Sequence, residues 1–205
     1  MHYDPDVFLE QFSIVKRFVY HLFYYRTLHA SYKRHEIQSE FWVHTIDAHL
    51  SQAAISWCMV FGSHGCNPTH WKKLSQLNSQ EIEKSFRAGL VTHTSLDMRA
   101  WEKYWKEMNE FRNEYVAHRH ISFQKPVPDF EVALKIAHYY DDWIRSLIAK
   151  GHSQEEEQFI PPATFDEPPL RESERFLREE ASLMIDQFLK HTKKHQNDES
   201  PYSFP

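Results

Sequence analysis

The stretch of residues 4–23, DPDVFLEQFSIVKRFVYHLF, decides the fold of this chain. Asp4 can accept the free amide protons of a first helical turn, and Pro5 suits the first helical position because its missing N–H has no partner there. Apolar side chains then recur at three- and four-residue intervals, at Phe8, Phe12, Val15, Val19, Leu22 and Phe23. This spacing predicts a helix to about Arg34 whose apolar stripe faces a core.

The same helical spacing recurs further along the chain. A second helix carries one broad face made of Phe41, Trp42, Thr45, Ile46, His49, Leu50, Ala53, Trp57 and Val60. Gly62 is placed to end that helix in the left-handed conformation. After an irregular loop, the pattern predicts a short helix at 79–88 and a long one at about 94–117. A further helix is capped by Asp129 and ended by Gly151.

Only four glycines occur and few stretches alternate apolar with polar residues, so a sheet-based fold has little support. We expect an all-α protein, an antiparallel bundle of four to five long helices with an additional C-terminal helix. The bundle spans 1–150 and a Pro-rich, acidic linker or strap spans 151–172. An amphipathic helix at 173–196 and a flexible tail at 197–205 complete the chain. The pattern leaves open whether the last helix docks on its own bundle or on another subunit.

The net charge of -5 argues against a general affinity for nucleic-acid backbones, because non-specific binding depends on neutralising phosphates. Any RNA contact must therefore come from a local basic site. Two cysteines, an N-terminus without a signal-peptide pattern and the lack of a long apolar run suit the reducing cytoplasm. We expect a cytoplasmic protein without a membrane span.

Residues 111–120, FRNEYVAHRH, gather two arginines, two histidines and an amide at the end of an aromatic-rich helix. This segment resembles the signature of the HEPN superfamily of helical ribonuclease and nucleotide-binding domains. In that signature an arginine, usually followed by a polar residue such as asparagine, precedes a histidine by a short interval. Here five residues separate Arg112 from His118. The ending Tyr-Val-Ala-His is similar to HEPN relatives from phage-defence and toxin systems.

The resemblance implies a metal-independent endoribonuclease of a defence or toxin–antitoxin system, with no cofactor. In that reading Arg112 and His118 are catalytic and act on an RNA phosphodiester. The residues that the resemblance places in supporting roles are Asn113, Tyr115, Arg119 and His120. The partners that it implies are a second copy of the chain, RNA or a nucleotide, and an antitoxin protein.

The spacing of the motif has a geometric consequence. Six steps of about 100° turn a regular helix by roughly 600°, which leaves Arg112 and His118 about 120° apart. The two side chains share a face only if the helix kinks, whereas a two-fold dimer can unite both pairs in one cleft. The chain also has surplus aromatic residues that need a surface to cover. We therefore expect a homodimer whose interface lies beside 111–120.

The motif residues can also have purely structural roles. Arg112 can pair with a glutamate or cap a helix carbonyl, and His118 can contact Glu114 one turn away. The rival class of function is a non-catalytic helical interaction or nucleotide-binding protein of the same fold. A zinc site is disfavoured, since no usual zinc module matches the spacing of Cys58, His64, Cys66 and His70. A buried thiol is the favoured role of Cys58, and we expect no metal.

Overall fold

A computed structural model describes residues 3–36, 39–75, 79–118, 125–152 and 167–197, with 150–152 and 191–197 described by their backbone alone. These residues form helices and loops without a strand, so the all-α class is confirmed. The six α-helices are α1 (Pro5–Arg34), α2 (Glu40–Phe61), α3 (Ser79–Thr94), α4 (Met98–Phe111), α5 (Phe130–His152) and α6 (Leu170–Asn197). No helix in this part of the chain has the length and apolar character needed to cross a bilayer.

Helix α1 confirms the prediction made from its sequence. Oδ1 of Asp4 accepts hydrogen bonds from the backbone N–H groups of Asp6 at 3.0 Å and Val7 at 3.2 Å, so the first turn is capped. The predicted stripe is buried throughout. Helix α1 packs mainly against α2, and it also contacts α5 and α6. Helix α3 packs against α5. The core therefore lies along α1, with aromatic side chains from the other helices filling it.

The end of α2 differs from the prediction. Gly62 has a φ of -77°, so it does not end the helix in the left-handed conformation. A Cβ atom at this position would lie 2.4 Å from the carbonyl oxygen of Cys58. Glycine is required there because the backbone approaches the preceding turn closely. At the other end of α2, Phe41 belongs to the broad face predicted from the sequence, yet its side chain is 67% exposed.

The predicted long helix at 94–117 is interrupted near its start. Helix α3 continues to Thr94, whose hydroxyl donates to the carbonyl of Leu90 at 2.6 Å. Ser95 then adopts a positive φ of 59°, which breaks the helix. Asp97 caps the new helix α4 by accepting from the N–H of Ala100 at 2.7 Å. Gly151, predicted as the end of α5, is instead followed by one more helical residue.

Helix α6 begins at Leu170, three residues before the predicted start at Ser173, and packs on α1 of its own chain. Its buried side chains include Leu177, Ala181 and Ile185. His138 of α5 pairs with Glu174 of α6 and joins these two helices. The last helix therefore docks on helices of its own chain. Residues 153–166 of the predicted linker and residues 198–205 of the predicted tail lie outside the described residues.

Candidate functional site

The motif residues form one turn of π-helix, Arg112–Ala117, directly after α4. The backbone N–H of His118 donates to the carbonyl of Asn113 at 3.0 Å, a bond that spans five residues instead of four. The ring of Tyr115 stacks on Phe111 with a centroid separation of 5.0 Å. Single π-helical turns inside or after α-helices are frequent at functional sites. This widened turn replaces the regular helix assumed from the sequence.

Arg112 is half-buried and lines a cavity of about 520 Å³ between the π-turn, α2 and the loop that follows α2. The thiol of Cys58, which also lines the cavity, donates to the carbonyl of Met108 at 3.8 Å, and the positive charge of Arg112 opposes the rise that burial causes in the pKa of that thiol. No carboxylate is among the described residues that line the cavity. Among the described residues no glutamate forms an ion pair with Arg112, and none of those that line the cavity is acidic.

The cavity wall contains polar groups that the sequence analysis missed. Ser63 donates from its hydroxyl to Oδ1 of Asn109 at 3.1 Å. The side-chain amide of Asn67 donates to the carbonyl of Met59 at 2.7 Å, which ties the loop back to α2. The sequence marked this segment as a loop through its glycines and Asn67-Pro68, yet nothing in it indicated a position beside Arg112. Both side chains line or border the cavity.

The other motif residues lie elsewhere. His118 is exposed at the end of the π-turn and does not line the cavity. Asn113 is exposed, and Tyr115 donates from its phenol to Asp47 on α2 at 2.6 Å. Glu114, the alternative partner of His118, forms an ion pair with Lys125 at 3.0 Å. One chain therefore does not bring Arg112 and His118 to a common cavity.

Two of the supporting residues named from the motif, Arg119 and His120, lie outside the described residues. The candidate site is therefore built from the remaining motif residues. The site consists of Arg112 with the polar loop groups, and of His118 at the exposed end of the same turn.

Two of the four candidate zinc ligands, Cys58 and His70, have other roles in the structure. Burial raises the pKa of the Cys58 thiol to about 12, although the adjacent Arg112 lowers it, so the group stays protonated at neutral pH. Nε2 of His70 donates to the carbonyl of Gly62 at 3.1 Å, and its Nδ1 accepts from the N–H of Lys72 at 3.2 Å. Cys58 is buried, as predicted, and both ring nitrogens of His70 are engaged.

Comparisons of the chain with protein-family models, with curated proteins and with solved structures find no match in any of the three. The likeness to HEPN proteins therefore stays a prediction that depends on the Arg112–His118 motif.

Proposed function

We propose that this chain is a HEPN-like endoribonuclease that cleaves RNA without a metal ion. The observation that supports the proposal is the half-buried guanidinium of Arg112 in a cavity whose described lining holds no carboxylate. A partly desolvated charge without a counterion is unfavourable, and a phosphate can supply that counterion. Guanidinium is suited to this role because it is always charged and can donate two parallel hydrogen bonds to phosphate oxygens. The Arg112 cavity is therefore a local basic site, which a chain of net negative charge requires in order to bind RNA.

The chemistry assigns separate roles to the two motif residues. Arg112 holds the phosphate and stabilises the negative charge that develops on it. The ribose 2′-oxygen attacks the adjacent phosphorus, and the bond from phosphorus to the 5′-oxygen breaks. One imidazole accepts the proton of the 2′-hydroxyl, and a second, protonated imidazole donates a proton to the departing 5′-oxygen. The products carry a 2′,3′-cyclic phosphate and a 5′-hydroxyl.

The scheme needs two imidazoles, and one chain offers a single motif histidine, His118, in the described part of the motif. We propose that a homodimer supplies the second from the other copy, with the helices of each chain arranged as a HEPN-type antiparallel bundle. The exposed position of His118 at the end of the π-turn supports this proposal, because a second copy can reach it there. Arg112 begins the π-turn that ends before His118, so the two groups lie six residues apart on one short segment.

The test is cleavage of mixed RNA by the full chain in EDTA, with analysis of the new ends. We expect cyclic phosphate ends, and a loss of roughly 10²- to 10⁴-fold in rate for His118→Ala and 10²- to 10³-fold for Arg112→Gln. Arg99→Gln and His44→Ala are matched controls because both side chains are exposed and lie outside the motif. RNA left intact at high protein concentration would overturn the nuclease.

A second candidate is a non-catalytic interaction or nucleotide-binding protein of the same fold. It is favoured by exposed apolar side chains on α6, where Phe176, Leu183 and Met184 are 59%, 62% and 63% exposed. Exposed apolar groups of this size often mark binding surfaces. Under this alternative, His118→Ala causes no change in any activity of the protein on RNA. Polar substitutions at Leu183 and Met184 weaken its association with a protein partner.

A further inference from the structure

A second cleft lies on the other side of the loop that follows α2. Its volume is about 230 Å³, and we call it the aromatic cleft after the indole rings of Trp71, Trp101 and Trp105 that line it. Three charged side chains, Lys72, Arg87 and Glu102, also line it. Pockets that enclose a whole small molecule usually measure roughly 300–1,000 Å³, so this cleft suits one part of a larger ligand.

The walls of the aromatic cleft are held in place by hydrogen bonds and ring stacking. The carbonyl oxygen of Gly62 accepts from Nε1 of Trp105 at 3.0 Å and from Nε2 of His70 at 3.1 Å. Trp71 stacks on Phe86 with a centroid separation of 4.2 Å. Preformed walls reduce the ordering cost that a ligand must overcome.

The aromatic cleft and the Arg112 cavity lie on either side of the same loop. Gly62 and His64 line the aromatic cleft, whereas Ser63 and Gly65 line the Arg112 cavity, so alternate residues of one loop face the two spaces. Along α4, Arg112 follows Trp105 by seven residues, which is about two turns or roughly 10 Å on nearly the same side of the helix. A single extended ligand can therefore contact both.

We propose that the aromatic cleft binds one nucleobase of the RNA strand whose phosphate lies at Arg112. This inference rests on the proposed function. All four bases present a flat π-face that stacks on aromatic side chains, and single-stranded RNA is commonly recognised in this way. Lys72 and Arg87 share one carboxylate, Glu83, with N–O distances of 2.8 Å each. Glu102 also lines the cleft, so the two cations are balanced by two carboxylates. The choice of RNA over an aromatic peptide therefore depends on the neighbouring Arg112 cavity, whose described lining residues include no carboxylate.

The test compares two ligands of equal length and backbone: a 2′-O-methylated oligoribonucleotide of mixed sequence, which cannot be cleaved through its 2′-oxygen, and an abasic oligomer. The full chain should bind the first more tightly by roughly 5- to 150-fold, the usual gain from one stacked base. Trp105→Leu should abolish that ratio, whereas Trp105→Phe should keep most of it. Both variants lose the hydrogen bond to Gly62, so a purely structural role of Trp105 would affect them equally.

The outcomes separate the subsite from the proposed function. If both oligomers bind equally and Arg112→Gln weakens both, the phosphate site stands and the base subsite is overturned. If neither oligomer binds, the proposed function fails and the subsite fails with it. Saturable binding of N-acetyl-tyrosinamide, lost in Trp105→Leu, by a chain that binds neither oligomer would assign the cleft to a protein partner and overturn the inference.

Discussion

The phenol of Tyr115 donates a 2.6 Å hydrogen bond to Oδ1 of Asp47, which anchors the π-turn on α2. The two residues are separated by 68 positions in the chain. Stacking of Tyr115 on Phe111 holds the same ring from the α4 side. Arg112 lies between these two aromatic residues in sequence, so the position of its guanidinium depends on both contacts.

Removing the phenol should loosen this turn. We expect Tyr115→Phe to lower the free energy of unfolding by about 1–2 kcal/mol, because a half-buried carboxylate loses a hydrogen bond. Urea unfolding measures the change, and Tyr32→Phe serves as the control because Tyr32 is also half-buried, on α1. RNA affinity should fall in Tyr115→Phe as well. Equal stabilities of the two variants would contradict an anchoring role for Tyr115.

The two glycines of the loop after α2 should respond differently to alanine. At Gly62 the new Cβ meets the Cys58 carbonyl at 2.4 Å, whereas nothing lies within 4 Å of a Cβ at Gly65. We expect Gly62→Ala to cost about 1–3 kcal/mol, with a fall in Tm of about 2–4 °C for each kcal/mol. Gly65→Ala should change the free energy of unfolding by less than about 0.5 kcal/mol. Thermal unfolding of both variants tests this, and a Gly62→Ala chain as stable as Gly65→Ala would refute the close approach.

Acid should destabilise the fold partly through His70. Burial lowers the pKa of His70 from 6.5 to about 4, so the unfolded chain takes up a proton between these values while the folded chain does not. The free energy of unfolding therefore falls as pH drops from about 6.5 to 4, by up to about 3 kcal/mol from this residue. His70→Gln should be less stable than the parent at pH 7, with a smaller deficit near pH 4.5. His44→Gln, at an exposed position on α2, is the control for the substitution itself.

Assembly gives a fourth prediction. Light scattering at micromolar concentration should give twice the chain mass of 24.7 kDa. Asn113→Arg should shift the chain towards monomer, because Asn113 is exposed beside His118 and the proposed interface lies there. Met184→Asp on α6 is the comparison variant. A strictly monomeric chain would contradict the predicted dimer. If Met184→Asp alone causes dissociation, the dimer interface lies on α6 and the two chains do not share an active site.

Local patterns in the sequence determined the helical class and much of each helix. The Asp4 cap and the stripe from Phe8 to Phe23 act within a few residues, so spacing alone predicted α1 with its bounds and buried face. The break at Ser95 was missed because no glycine or proline marks it. It depends on a positive φ and on the Asp97 cap that follows.

Only the tertiary structure decided the surroundings of the motif. The sequence identified Arg112 and His118 as candidates but placed them on a regular helix. The π-turn that separates them is held by Asp47, and the cavity around Arg112 is completed by Cys58 and the loop after α2. These partners are distant in sequence, and their side chains meet only once α2 packs beside α4, so no local periodicity could have predicted them.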